Sequence, residues 1–137
     1  EPSLVIRPHA KNVPDLKVSD IGLDIQNFLL NRILESGKAP VVVDSANLLM
    51  RPEAILRELC QHLEITFDDS MLSWEPGPKS EDGVWAKHWY KNTHESSAFS
   101  NKESERDPMP EKFLPVLEES TILYDNLKKY ACKGIEQ

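Results

Sequence analysis

Three consecutive β-branched residues, Val41, Val42 and Val43, stand between a helical pattern and a polar turn, and they restrict the fold of this chain more than any other feature. A run without alternation marks a strand covered on both faces, as in a parallel sheet with helices on each side. Such a strand needs neighbours, because its backbone N–H and C=O groups point sideways and must be paired. One other candidate exists, Leu4-Val5-Ile6, and Pro8 cuts it short. The expected class is α/β: a mainly helical domain with one or two short parallel-type strands and an incomplete sheet.

The segments around the valines fit that class. Residues 1–18 hold Pro2, Pro8 and Pro14 with little periodicity and read as an extended N-terminal arm. Ser19 can cap a helix in which Ile21, Ile25, Phe28, Leu29 and Ile33 recur at helical spacing, and Gly37 supplies a left-handed stop. Arg51-Pro52 opens a second helix, since proline at the first helical position lacks only an N–H that would be free anyway. Its stripe is Ile55, Leu56, Leu59, Cys60 and Leu63. Pro76, Gly77 and Pro78 mark a surface connection, with Asp68-Asp69-Ser70 before it suited to cap a short turn. Residues 83–99 are dense in rings, histidines and lysines and suit a lid across a site. Residues 100–110 form a charged loop. A last helix spans 111–130, with Pro115 tolerable in its first turn.

Composition bounds the functions open to the chain. With 137 residues, 39% hydrophobic and 28% charged, one domain is the expectation. A net charge of −7 without a dense basic stripe disfavours nucleic acid. No apolar stretch approaches the eighteen or so residues of a membrane span, and no signal-type series opens the chain. The compartment is left open between the cytoplasm and an organelle after N-terminal processing; Glu1 rather than Met opens the chain, which is expected to be either processed or a piece of a longer one. Cys60 and Cys132 lack CxxC spacing and read as reduced thiols.

The stretch Asp44, Leu48, Pro52, Leu59, Leu63 and Ile65, followed by MLSWEPGPKSEDGVWAKHWY at 71–90 and by His94-Glu95-Ser96 and Phe99, resembles the C-terminal half of the sulfotransferase-like P-loop family. The likeness is to the branch that plants also join to an aminotransferase-like domain. It covers about residues 39–99 and weakens through the last helix; residues 1–18 fall outside it. The resemblance implies an incomplete P-loop sulfotransferase-like domain over 19–137.

In that family a segment of the type R-K-G-x-x-G-D-W-K-N-H-F closes over the sulfuryl donor PAPS and contacts its 3′-phosphate. Lys79, Gly83, Trp85 and His88 match it and are the implied cofactor-binding residues. Pro78, Ser80, Val84 and Ala86 replace the arginine, first glycine, aspartate and later lysine. A phosphate dianion needs fixed N–H donors and a bidentate guanidinium, and a single lysine is a poorer substitute. The phosphosulfate loop is also missing: none of Gly22, Gly37, Gly77, Gly83 and Gly134 lies in a strand-to-helix turn beside Lys, Arg, Ser or Thr.

Other constellations read as structure more readily than as sites. Lys87, His88, Lys91 and His94, with Trp85, Trp89 and Tyr90, form either a cationic, stacking patch or a ring-packed loop with wet tips. His88, His94 and Glu95 lack metal-ligand spacing, so no metal is expected. Cys60 and His62, two apart on a helix, point in different directions and read as a core cysteine and a surface histidine. Asp44 ends the valine strand, where open α/β sheets place ligand contacts, and is equally suited to capping a turn with Ser45 and Asn47.

Two functions remain open. In one, the chain is a non-catalytic sulfotransferase-like interaction module or accessory subunit, docking on other protein chains that complete or cover its sheet, with no cofactor. In the other, it is the C-terminal part of a PAPS-dependent sulfotransferase and supplies the lid and the 3′-phosphate contacts. The first is favoured for the chain as it stands; alone it is not expected to transfer sulfate, and no catalytic residue is assigned.

Overall fold

The structure, a computed structural model, describes residues 1–10, 13–86, 90–100 and 108–134. Its helices are α1 (Pro2–Ala10), α2 (Val18–Ile21), α3 (Leu23–Glu35), α4 (Ser45–Met50), α5 (Pro52–His62), α6 (Lys91–His94) and α7 (Leu114–Lys128), with 3-10 turns at Asp69–Leu72 and Glu111–Phe113. Two compact units share the chain: Glu1–Asp44 with Glu103–Cys132, and Ser45–Lys102 with Lys133–Gln137. The single body expected from length is thus subdivided, because the first unit recruits the last long helix. Among the described residues no helix is long and apolar enough to cross a membrane.

In the first unit α7 is the central support, packed by α1, α2 and α3. Its start tolerates Pro115 in the first turn, as expected. The N-terminal arm is helical rather than extended. Pro2 falls in the first turn of α1, where a missing N–H costs nothing, and Pro8 lies close to the helix end. Burial of Ile6 against Leu16 and Phe113 then outweighs weak local propensity. Gly22, at φ 78°, divides the helix expected from Ser19 onward into α2 and α3. Gly37, at φ 74°, follows α3 as the expected left-handed stop.

Leu23 and Leu30 of α3 pack on Leu127 of α7, with Leu123, Tyr124 and Val42 beside them. Asn27 is buried in the same interface. Its amide donates to the carbonyls of Leu23 at 2.8 Å and Leu123 at 3.0 Å, and its oxygen accepts from Asn126 at 2.8 Å. The valine strand contracts to one parallel bridge between Val42 and Ala131, with the Cys132 amide donating to the Val42 carbonyl at 2.9 Å. Among the described residues there is no longer β ladder, so the architecture is helical with isolated bridges.

The second unit is organised by α5. Pro52 sits at its start, and Ile55 and Cys60 are its buried residues. Leu63, expected on the same stripe, lies past the last helical residue and is exposed. Arg57 pairs with Glu53 at 2.8 Å and lays its guanidinium 4.0 Å from the Phe67 ring centroid. One carboxylate oxygen of Glu58 accepts the amides of Lys133 at 2.9 Å and Gly134 at 2.6 Å, while Arg51 donates to the Lys133 carbonyl. Asp68 caps the 3-10 turn by accepting the Ser70 amide at 2.7 Å, as expected. The Ser70 side chain first, and its backbone amide second, hold the Asp68 carboxyl below its ordinary value.

Candidate functional site

Each helical residue turns about 100° about the axis, so Leu23, Asn27 and Leu30 share one side of α3 while Ile25, Phe28, Leu29 and Ile33 share another. The first set is buried; the second is between 39% and 57% exposed. The sequence stripe therefore has the right period and the opposite outcome, since α3 carries apolar side chains on both faces. A groove of about 250 Å³ joins Leu29 and Ile33 to Pro40 and Val41–Val43. Val42 is bonded toward Cys132, whereas among the described residues Val41 and Val43 make no backbone hydrogen bond. An apolar helix face and an open strand edge thus form one surface of the first unit.

Asp44, at the end of that strand, is buried and accepts the Tyr124 hydroxyl. Burial, and then the hydrogen bond to Asp44, pushes the Tyr124 phenol above its ordinary value. The bond makes Asp44 an internal anchor, a role distinct from both the ligand contact and the turn cap expected from the sequence. Its partner is 80 residues away in sequence and carries no local signal.

The second unit holds a clasp between residues 73–82 and 90–99. Ser73 bridges Ala98 in antiparallel fashion, and the Trp74 amide donates to the Ser97 carbonyl at 2.9 Å. The Trp74 indole N–H reaches Ser96 Oγ at 3.2 Å, and its ring meets Phe99 edge-on at 5.3 Å. Gly77, at φ 113°, turns its amide onto the His94 carbonyl at 2.7 Å, a conformation that a side chain would strain. Asp82 Oδ2 then takes both the Lys79 amide at 2.8 Å and His94 Nε2 at 2.7 Å. The Lys79 amide first, and His94 second, hold the Asp82 carboxyl below its ordinary value. A cleft of about 400 Å³ opens between the arms, walled by Trp74 and Tyr90 and reached by Lys79, Asp82 and His94.

Of the four residues matched to the cofactor segment, Lys79 lines this cleft, while Gly83 and Trp85 are exposed, Trp85 to 69%. Neither Gly83 nor Trp85 lines the cleft. His88 lies outside the described residues, as do Lys87 and Trp89 of the cationic patch. Sequence reasoning missed the Asp82–His94 pair: the two are 12 residues apart, at a spacing that marks no local motif. Cys60 is buried, its Sγ 3.9 Å from Met71 Sδ, and His62 is exposed near Glu58, in accord with the core-cysteine reading.

Comparison with known proteins adds a family. The sulfotransferase domain matches residues 1–131, so the likeness extends over the N-terminal residues that the motif reading left outside it. Branched-chain-amino-acid aminotransferase-like protein 1 of Arabidopsis thaliana is 38% identical over 127 residues, which are 93% of this chain and 23% of that protein. Branched-chain-amino-acid aminotransferase-like protein 2 of the same plant is 35% identical over 125 residues, 91% of this chain and 22% of that protein. The chain spans under a quarter of the length of these curated relatives. No solved structure matches it at a significant level.

Proposed function

This chain belongs to the sulfotransferase domain family, and from that premise we propose that it serves as a non-catalytic interaction module, docking on another protein chain through the outer face of α3 and the open edge at Val41–Val43. The observation that carries this reading is the continuity of the two: exposed Leu29 and Ile33, beside Phe28 on α3, line a groove whose far wall is a strand edge with unbonded backbone groups at Val41 and Val43. An extended apolar segment laid along that edge would pair those groups and bury the helix face in one step, the combination that drives strand addition. The Val41–Val43 run supports a partner covering both faces, because a solvent-facing strand would alternate. Departures at Pro78, Ser80, Val84 and Ala86 from the phosphate-gripping segment support a role without PAPS.

The test is association measured with wild-type chain and with Phe28→Glu and Leu29→Lys. A partner recovered from the native source should lose at least about tenfold in affinity for either variant, since a charge on an apolar contact is left unpaired. Hydrogen exchange should slow at residues 41–43 when the partner binds. Equal affinity of all three chains, or sulfate transfer from PAPS by this chain alone, would overturn the reading.

A further inference from the structure

The cleft of the second unit has features that packing alone does not require. At about 400 Å³ it falls within the range of roughly 300–1,000 Å³ typical of small-molecule sites, and its exposed surface is mostly carbon. Trp74 and Tyr90 provide ring faces. The Trp74 indole N–H is already committed to Ser96, which leaves that ring an apolar wall.

His94 is the polar group with capacity to spare. Its Nε2 is held 2.7 Å from Asp82 Oδ2, and that oxygen also accepts the Lys79 amide. A carboxylate on Nε2 keeps the proton of the neutral imidazole on that nitrogen, so Nδ1 carries the lone pair. Among the described residues Nδ1 has no hydrogen-bond partner. Tyr90 meets the His94 ring edge-on at 6.0 Å, and both residues line the cleft. Charge narrows the ligand further. Asp82 is occupied by two donors, and with His94 neutral Glu75 and Asp82 outnumber Lys79 by one negative charge, which disfavours an anionic ligand.

We propose that this cleft binds a neutral planar aromatic molecule bearing one O–H or N–H donor, its rings stacked on Trp74 and Tyr90 and its donor accepted by Nδ1 of His94. The site is separate from the docking surface of the first unit and does not depend on it. Asp82 is a positioning residue here: it fixes the imidazole tautomer and the ring orientation.

The experiment is titration of the full chain with 2-naphthol and with 2-methoxynaphthalene, which has the same fused rings but no donor. The His94 ring Cε1–H resonance is followed by NMR and identified by its loss in His94→Gln. The expected result is a saturable shift with 2-naphthol and binding of the methoxy compound weaker by about tenfold, the equivalent of one hydrogen bond. Asp82→Asn, which removes the fixed tautomer while keeping the side-chain volume, should narrow the difference between the two compounds. Comparing two ligands on the wild-type chain keeps the test valid if either variant folds poorly. No saturable shift up to the solubility limit of 2-naphthol, or equal affinity for both compounds, would overturn the assignment.

Discussion

Asn27 on α3 donates its side-chain amide to the backbone carbonyl of Leu123 on α7 at 3.0 Å, across 96 residues of sequence. This bond fixes how the two helices slide past one another. Leu23, Leu30 and Leu127 would accept several registers, because apolar contact is not directional. Asn27 accepts one, since its amide also reaches Leu23 and its oxygen takes Asn126.

Asn27→Ala should therefore lower the stability of the chain by about 1–3 kcal/mol, because the part-buried Leu123 carbonyl and Asn126 amide lose a partner. Urea denaturation compares the two chains. A loss below about 0.5 kcal/mol, the scale of ordinary surface substitutions, would show that water or a neighbouring group replaces the amide.

The Asp82–His94 clasp should weaken in acid. Asp82 has a folded-state value lowered from its ordinary 3.8, first by the Lys79 amide and then by His94. As pH falls, the unfolded chain takes up this proton before the folded one. The contribution is thus complete above the ordinary value and is lost as pH drops through the lower folded value. The urea midpoint of wild type should fall below about pH 4 more steeply than that of Asp82→Asn; parallel curves would count against the clasp.

Tyr124 predicts the opposite sign in alkali. Its phenol is raised from an ordinary 10.0 by burial and by its bond to Asp44. Above pH 10 the unfolded chain gives up that proton while the folded chain retains it, so stability is full below the ordinary value and declines as pH rises toward the folded one. Tyr124→Phe should remove that part of the decline. Titration of tyrosine absorbance near 295 nm should likewise show one phenol ionising only as the chain unfolds; three phenols ionising normally would refute it.

Gly134 is the position in the second unit least able to accept a side chain. At φ 86° its conformation disfavours L residues, and an added Cβ would stand 3.0 Å from the Ala54 Cβ. Gly134→Ala should cost about 1–2 kcal/mol from the backbone conformation, with more from the contact. It should also loosen the Lys133 and Gly134 amides from Glu58. Faster hydrogen exchange at those two amides is the direct readout; unchanged protection would mean that the segment re-docks without strain.

Elements whose signals are local were legible in the residues alone. Pro52 at a helix start, the left-handed stop at Gly37, the Asp68 cap and the last helix with Pro115 in its first turn all depend on neighbours within a few residues. The sequence also carried the family, through motif residues that lie in one stretch of chain. Tertiary structure decided the rest, wherever the outcome depended on a distant partner. Pro2–Ala10 is helical because Phe113 and Leu16 bury Ile6. Period points to the stripe of Ile25, Phe28, Leu29 and Ile33 on α3, whereas packing of α7 on Leu23 and Leu30 buries the other side. Val42 finds a neighbour at Ala131 rather than in an adjacent strand. Asp82 and His94 pair across 12 residues, so neither residue announces the cleft they share. Local chemistry fixes backbone conformation, whereas the choice of inward face and the pairing of polar groups are set by whichever contacts bury the most apolar surface with every buried donor and acceptor satisfied.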